Sequence, residues 1–248
     1  MDFADTRWSL VLAASGGRTV TARAALSDLC GAYYQPVFRF LRSDGRADDE
    51  ARELTHAFFA RILSGNGFEG ADPQRGRFRS FLLGALKHFL ADHRAHAGRA
   101  KRGGGAEHVP LDPLPDADAD AASACAVQYP DSVTLPPDEA FDRQWALTVL
   151  DRALTSLESL LGSEGKTAQF TVLRPWLAGT PGGGSQAEAA ASLGLTGNAF
   201  RVAVHRLRQR FREAIREELT QTLAPGISPD GEFDHLRAAL ARHRPGQF

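Results

Sequence analysis

The amino-acid sequence predicts an all-α protein, with two helical domains joined by a long flexible acidic linker. Three observations predict it. Apolar residues recur at three- and four-residue spacing on both sides of the chain's middle, and no convincing alternating pattern argues for a strand. Residues 103–137 interrupt that pattern with no lysine or arginine, with aspartates at Asp112, Asp116, Asp118, Asp120 and Asp131, and with many Ala, Pro and Gly. Such a segment buries too little apolar surface to offset its ordering entropy. Residues 185–211 read as a helix, a glycine corner and a second helix with arginines on its outer face. The expected division is 1–102, 103–137 (linker), 138–222 and 223–248, the last an extension ending in a short helix.

The elements follow in order. Residues 22–42 carry Leu26, Leu29, Cys30, Tyr33, Val37, Phe38 and Leu41 at helical spacing, with Pro36 expected to break or bend the helix. Residues 48–63 form a second amphipathic helix, with Leu54, Phe58, Phe59, Ile62 and Leu63 as its buried stripe. A turn-rich segment follows at 64–78. Residues 80–102 then form a long helix with Phe81, Leu82, Leu83, Leu86, Phe89 and Leu90 inside and a basic C-terminal half. After the linker, helices resume near Asp138 through Trp145, Leu150 and Leu157, and a further segment surrounds Phe170, Leu173 and Trp176. The extension holds an amphipathic helix with Phe233, Leu236 and Leu240 on one face.

Bulk composition sets the classes that remain. The chain has 248 residues, 43% of them hydrophobic, with 29 basic and 30 acidic residues and a formal charge of −1. That total does not announce a nucleic-acid partner, but the charge is segregated, and local density governs electrostatic binding. Two cysteines, Cys30 and Cys125, are too few for a disulfide framework and fit a reducing cytoplasm. No signal-peptide pattern and no bilayer-length apolar run is present, so a cytoplasmic protein without membrane contact is expected.

The helix–turn–helix segment carries the most chemistry. Gly194 makes the corner, where a residue without Cβ takes a positive φ at low cost. Thr196 is a good N-cap for the second helix. Phe200, Ala203, Val204, Leu207 and Phe211 form that helix's inward face, while Arg201, His205, Arg208 and Arg212 fall opposite. A second helix of this kind enters the DNA major groove N-terminus first.

Other chemistries find less support. His88, Asp92, His93 and His96 are close together on one helix, but within a basic segment without a nearby cysteine they read as polar contacts, and no metal is expected. Asp48, Asp49, Glu50 and Glu53 crowd a helix start, where acids favour the macrodipole. The GTPGGG run at 179–184 lacks the lysine of a nucleotide-binding loop. No enzyme activity and no cofactor are expected.

The whole chain resembles the extracytoplasmic-function (ECF) sigma factors of bacterial RNA polymerase, in a large-linker subgroup with a C-terminal extension. The resemblance runs from TRWSLVLAA (6–14) through ELTHAFFARIL (53–63), RGRFRSFLLGALKHFLADH (75–93), KRGGG (101–105) and RQWAL (143–147) to the second helix of the helix–turn–helix. It implies that the first domain docks on the clamp helices of the polymerase β′ subunit through Glu50, Arg52, Glu53, His56 and Ala57. It further implies that Asn66, Phe68 and Arg77 form the pocket for a base extruded from the −10 element, and that Lys87, His88, Asp92 and Arg94 contact DNA beside it. Extrusion costs a few kcal/mol of stacking, which aromatic and cationic contacts to the strand offset.

The −35 element would fall to Thr196, Gly197, Asn198, Arg201, Val202 and His205, with Arg206, Arg208 and Arg210 placed for phosphate. The β flap is the second polymerase contact implied, and an anti-sigma factor or a Ser/Thr kinase is the regulator. The acidic linker would thread toward the RNA exit path. The chain departs from the family at the docking helix, where Glu50-Ala51-Arg52-Glu53-Leu54 places an arginine among the usual acids. Thr55 is accordingly a candidate phosphoacceptor, since a phosphate adds about −1.5 to −2 charge; the alternative is a partly buried helix residue. Ala203 also stands where relatives often carry arginine. A helix–turn–helix regulator that does not act as an initiation factor is the alternative reading of the whole.

Overall fold

A computed structural model describes residues 20–64, 77–100, 135–178, 185–224 and 226–242. Among them the chain is almost wholly helical, and no strand forms beyond an isolated bridge between Arg77 and Leu223. The helices are α1 (Val20–Ser43), α2 (Asp48–Leu63), α3 (Phe78–Ala100), α4 (Pro137–Ser163), α5 (Thr167–Leu173), α6 (Gln186–Ser192), α7 (Gly197–Thr220) and α8 (Asp230–Ala241), with a short 3₁₀ turn at Arg174–Trp176 after α5. The expected all-α class holds for these residues. The segments at 6–14 and 101–134, the glycine run at 179–184, Asn66 and Phe68 lie outside them.

The local causes are plain for most elements. In α2, Asp48, Asp49 and Glu50 fill the first turn, where the helix dipole favours negative charge, and Ala51, Leu54, Phe58, Phe59 and Ile62 form one buried stripe. In α3, Phe78, Leu82, Leu86 and Leu90 recur every fourth residue and are all buried. Pro137 starts α4 at a position whose N–H would be unpaired in any case. Pro36 does not break the helix as expected: it is buried within a single continuous α1. A mid-helix proline removes one backbone bond and crowds the preceding turn. Burial of Tyr33, Val37, Phe40 and Leu41 around it outweighs that cost.

Two hydrophobic cores result, and two long helices belong to both. The first core collects α1, α2 and α3 together with Phe141, Trp145, Ala146, Val149 and Ala153 of α4, Ile215 and Leu219 of α7, and Leu236 and Ala239 of α8. The second collects Leu157 and Leu161 of α4, Phe170 and Leu173 of α5, Trp176, Ala190 of α6, and Phe200, Val204 and Leu207 of α7. Helices α4 and α7 therefore run antiparallel, each burying one half in each core. Arg152 of α4 reinforces the seam by pairing with Asp28 of α1 at 3.0 Å and Glu218 of α7 at 3.2 Å. Cys30 lies inside the first core, where burial pushes its thiol up to about 12, so it behaves as an apolar packing residue.

Candidate nucleic-acid interface

The helix–turn–helix forms as a capped, glycine-hinged unit. The Ser185 hydroxyl accepts from the Ala187 N–H at 3.2 Å to start α6, and the Thr196 hydroxyl accepts from the Ala199 N–H at 3.2 Å to start α7. Between them Gly194 has φ +63°, and a Cβ there would meet no atom within 4 Å. Backbone strain, not space, is what calls for glycine at that corner. The Leu195 N–H closes the turn on the Ala190 carbonyl at 2.9 Å. Ala190 is buried between the helices, as the close crossing requires. Edge-on packing of Trp176 against Phe200, with ring centroids 5.3 Å apart, fixes α7 over its core.

That packing leaves a defined outer face. Thr196, Gly197, Asn198, Arg201, Val202, His205, Arg206, Arg208 and Arg212 are all exposed. Val202 keeps 42% of its surface despite being apolar, next to Arg201 and Arg206. An exposed valine between cations has the chemistry to meet a thymine methyl group beside phosphates. Not every arginine on α7 is free to bind. Arg208 donates to the Trp176 carbonyl from Nε at 3.1 Å and Nη2 at 2.6 Å, tying the turn after α5 to α7. Arg210 and Lys166 both pair with Glu164, at 3.1 and 2.5 Å, and these hydrogen bonds hold its carboxyl below the ordinary glutamate value.

A groove of about 470 Å³ opens beside this face, between α5 and α7. Phe170, Leu173, Ala203 and Leu207 line its apolar part, and Lys166, Arg206 and Arg210 line its cationic part. Ala203 borders that opening, so the small side chain helps to keep it open.

The second group of predicted residues is placed differently. Lys87 of α3 pairs with Asp138 at 2.8 Å, Arg94 with Asp44 at 2.7 Å, and Asp92 with Arg61 at 3.1 Å. His88 is exposed on the same helix. Arg77 immediately precedes α3, and its guanidinium lies 3.1 Å from Glu232 of α8. On α2, Glu53, His56 and Ala57 are exposed together. His56 Nε2 lies 2.9 Å from the Tyr34 hydroxyl, Glu50 pairs with Arg46, and Arg52 is held by Asp49 at 3.3 Å and Asp48 at 3.6 Å. Arg52 is thus paired with acids on its own helix.

Thr55 is corrected by its surroundings. It is 0% exposed, and its hydroxyl donates to the Ala51 carbonyl at 2.7 Å. A phosphoacceptor has to reach a kinase, and a doubly charged group at that position would enter an apolar core. The buried-helix alternative is the one the geometry supports.

Sequence reasoning missed an ionic cluster at the first core. Arg79, in the first turn of α3, is buried between Glu232 of α8 (3.2 Å) and Asp142 of α4 (2.8 Å), with its guanidinium 5.0 Å from the centre of the Trp145 ring. His235 of α8 meets the other oxygen of Asp142 at 2.9 Å. Burial would lower the basicity of Arg79, but the hydrogen bond and charge of Glu232, with Asp142, raise it. No local pattern flags such residues, since Arg79 and Glu232 are 153 positions apart.

Among the described residues no helix is long and apolar enough to cross a membrane. Comparison with protein families, with curated proteins and with solved structures found no match.

Proposed function

We propose that this chain is an initiation factor of the ECF sigma type, which binds core RNA polymerase in the cytoplasm and directs it to promoter DNA. The observation that carries the reading is the start of α7, where a capped helix N-terminus presents Asn198, Arg201, Val202, His205 and Arg206 together on one exposed face. In this reading Asn198 and Arg201 read base edges of a −35 element, and Arg206 holds phosphate. The acidic stretch between α3 and α4 threads toward the RNA exit path in this reading. The exposed Glu53, His56 and Ala57 on α2 meet the β′ clamp helices, and the cation-lined groove between α5 and α7 takes an element of the β flap.

Run-off transcription from genomic fragments with purified core polymerase tests the proposal. The expected result is discrete transcripts that appear only when the chain is added and vanish for Arg201→Ala. A chain that shifts duplex DNA but starts no transcript is a helix–turn–helix regulator of another kind. A chain that binds polymerase without initiating is an antagonist. Either result overturns the proposal.

A further inference from the structure

Helix α8 is anchored by an acid. Glu232 is 1% exposed, and its carboxylate meets two arginines at once, Arg79 at 3.2 Å and Arg77 at 3.1 Å. Arg79 already carries Asp142 on its other side, so two carboxylates share one buried guanidinium. Arg77 supplies the second cation, and a buried anion this close to another requires one. Unlike Arg79, Arg77 keeps 40% of its side chain exposed, so it offers a guanidinium to solvent on one side and to Glu232 on the other.

The approach of α8 to Arg77 is close. A Cβ on Gly231 would lie 3.0 Å from Arg77 Nη2, so a larger residue at that position would require the flexible guanidinium to shift slightly. The backbone ahead of α8 is held beside Arg77 as well. Phe78 N–H donates to the Thr222 carbonyl at 3.0 Å, and Arg77 bridges to Leu223. The remaining hold comes from Leu236 and Ala239, buried in the first core, from His235, 2.9 Å from Asp142 with its ring centre 5.7 Å from that of Trp145, and from Arg216, which pairs with Asp230 at 3.1 Å and lies 5.6 Å from the Phe233 ring. Release of this twelve-residue helix has to break those contacts, and it leaves Arg79 paired with Asp142.

A carboxylate and a phosphodiester present similar paired oxygens to a guanidinium fork. We propose that Glu232 stands in for a backbone phosphate, so that α8 occupies a single-stranded nucleic-acid contact at Arg77 and blocks it until α8 undocks. The inference rests on the DNA-binding reading above and adds a regulator contained in the chain itself. Signals that detach α8 expose Arg77, while the α7 face stays open throughout.

The test uses the full chain and a fluorescein-labelled single-stranded oligothymidylate, read by anisotropy across a salt series. Glu232→Gln removes the competing charge and keeps the shape. Leu236→Ala loosens α8 through lost apolar burial and leaves every charge in place, and it carries the test should the first variant fail to fold. Each is expected to tighten binding on the order of tenfold at low salt, the scale of one charge-assisted contact. Each should also steepen the slope of log affinity against log salt by about 0.7, the value for one more strand phosphate. Adding Arg77→Ala should cancel both gains. Unchanged affinity in a folded variant whose α8 amides exchange faster overturns the inference, as does a gain that survives Arg77→Ala. Duplex binding with no single-strand binding by any variant overturns the inference alone; loss of both overturns the DNA-binding reading too.

Discussion

Helices α3 and α7 look alike as sequences, since each is a long amphipathic helix rich in basic residues, yet the structure uses their cations in opposite ways. Three of the α3 cations pair with acids of other elements. Arg79 is buried against Glu232 and Asp142, Lys87 reaches Asp138, and Arg94 reaches Asp44. Those at the start of α7 stay open, and among the described residues Arg201 and Arg206 take no acidic partner. The difference comes from the neighbours. Helix α3 packs where acid-rich segments begin, with Asp44 ahead of α2 and Asp138 in the first turn of α4. The start of α7 faces α6, whose single acid, Glu188, is exposed. A basic helix becomes a binding surface when the chain withholds counter-charges from it.

The largest effect that tests this contrast lies at Arg79. Arg79→Ala leaves Glu232 and Asp142 buried without their shared cation, and is expected to cost about 3–5 kcal/mol in urea unfolding. Arg201→Ala is expected to stay within about 0.5 kcal/mol in the same assay. Similar losses at both positions would erase the distinction between the two helices. In duplex binding the order reverses. Arg201→Ala is expected to lose about 1–3 kcal/mol on the preferred sequence and to relax specificity there, while Arg94→Ala changes little. An Arg94 effect as large as that of Arg201 would mean that the α3 ion pairs open to receive DNA.

Much of this was legible locally. The α2 boundaries follow from its first-turn acids and its buried stripe, and the α6–α7 corner follows from Gly194 and Thr196. Periodicity also placed Leu236 of α8 on a buried face. What it left open is the choice of partner. Nothing in the spacing of Phe141, Trp145, Leu157 and Leu161 tells that the first two join one core and the last two another. Likewise Pro36 argues locally for a break, and only packing around Tyr33 and Val37 keeps the helix whole. Of the candidate site, exposure of the α7 residues was readable because it needs no partner. The fates of Lys87, Arg94 and Thr55 were not, since each depends on a group or a core supplied by another part of the fold.

Acid sharpens the comparison more gently than substitution does. Burial pushes the Asp142 carboxyl up, but the hydrogen bond from His235 and the charge of Arg79 outweigh it and hold the group below the ordinary aspartate value. The groups facing it are Arg79 of α3 and His235 of α8, with Glu232 of α8 beyond Arg79. A depressed carboxyl contributes stability that is fully present above the unfolded-state value and lost as pH falls through the folded one. The stability gap between wild type and Asp142→Asn is therefore expected to shrink as pH falls below the ordinary aspartate range. A gap that closes between pH 6 and pH 7 would assign the linkage to another group.

The smallest effect is expected at Lys87 and Asp138, and it decides how far the contrast extends along α3. Both side chains are about half exposed, at 51% and 54%, and the nitrogen–oxygen distance is 2.8 Å. Exposed pairs of this kind contribute about 0.2–1 kcal/mol, because water screens them and holding two side chains costs entropy. A double-mutant cycle with Lys87→Ala and Asp138→Ala should therefore return a coupling below about 1 kcal/mol that fades with added salt. The weakness matters because a pair held so loosely is one that DNA phosphate can replace at little cost. A coupling of several kcal/mol, insensitive to salt, would make Lys87 as structural as Arg79 and remove it from any DNA contact. The measured value thus marks where along α3 the cations stop serving the fold and become available to a strand.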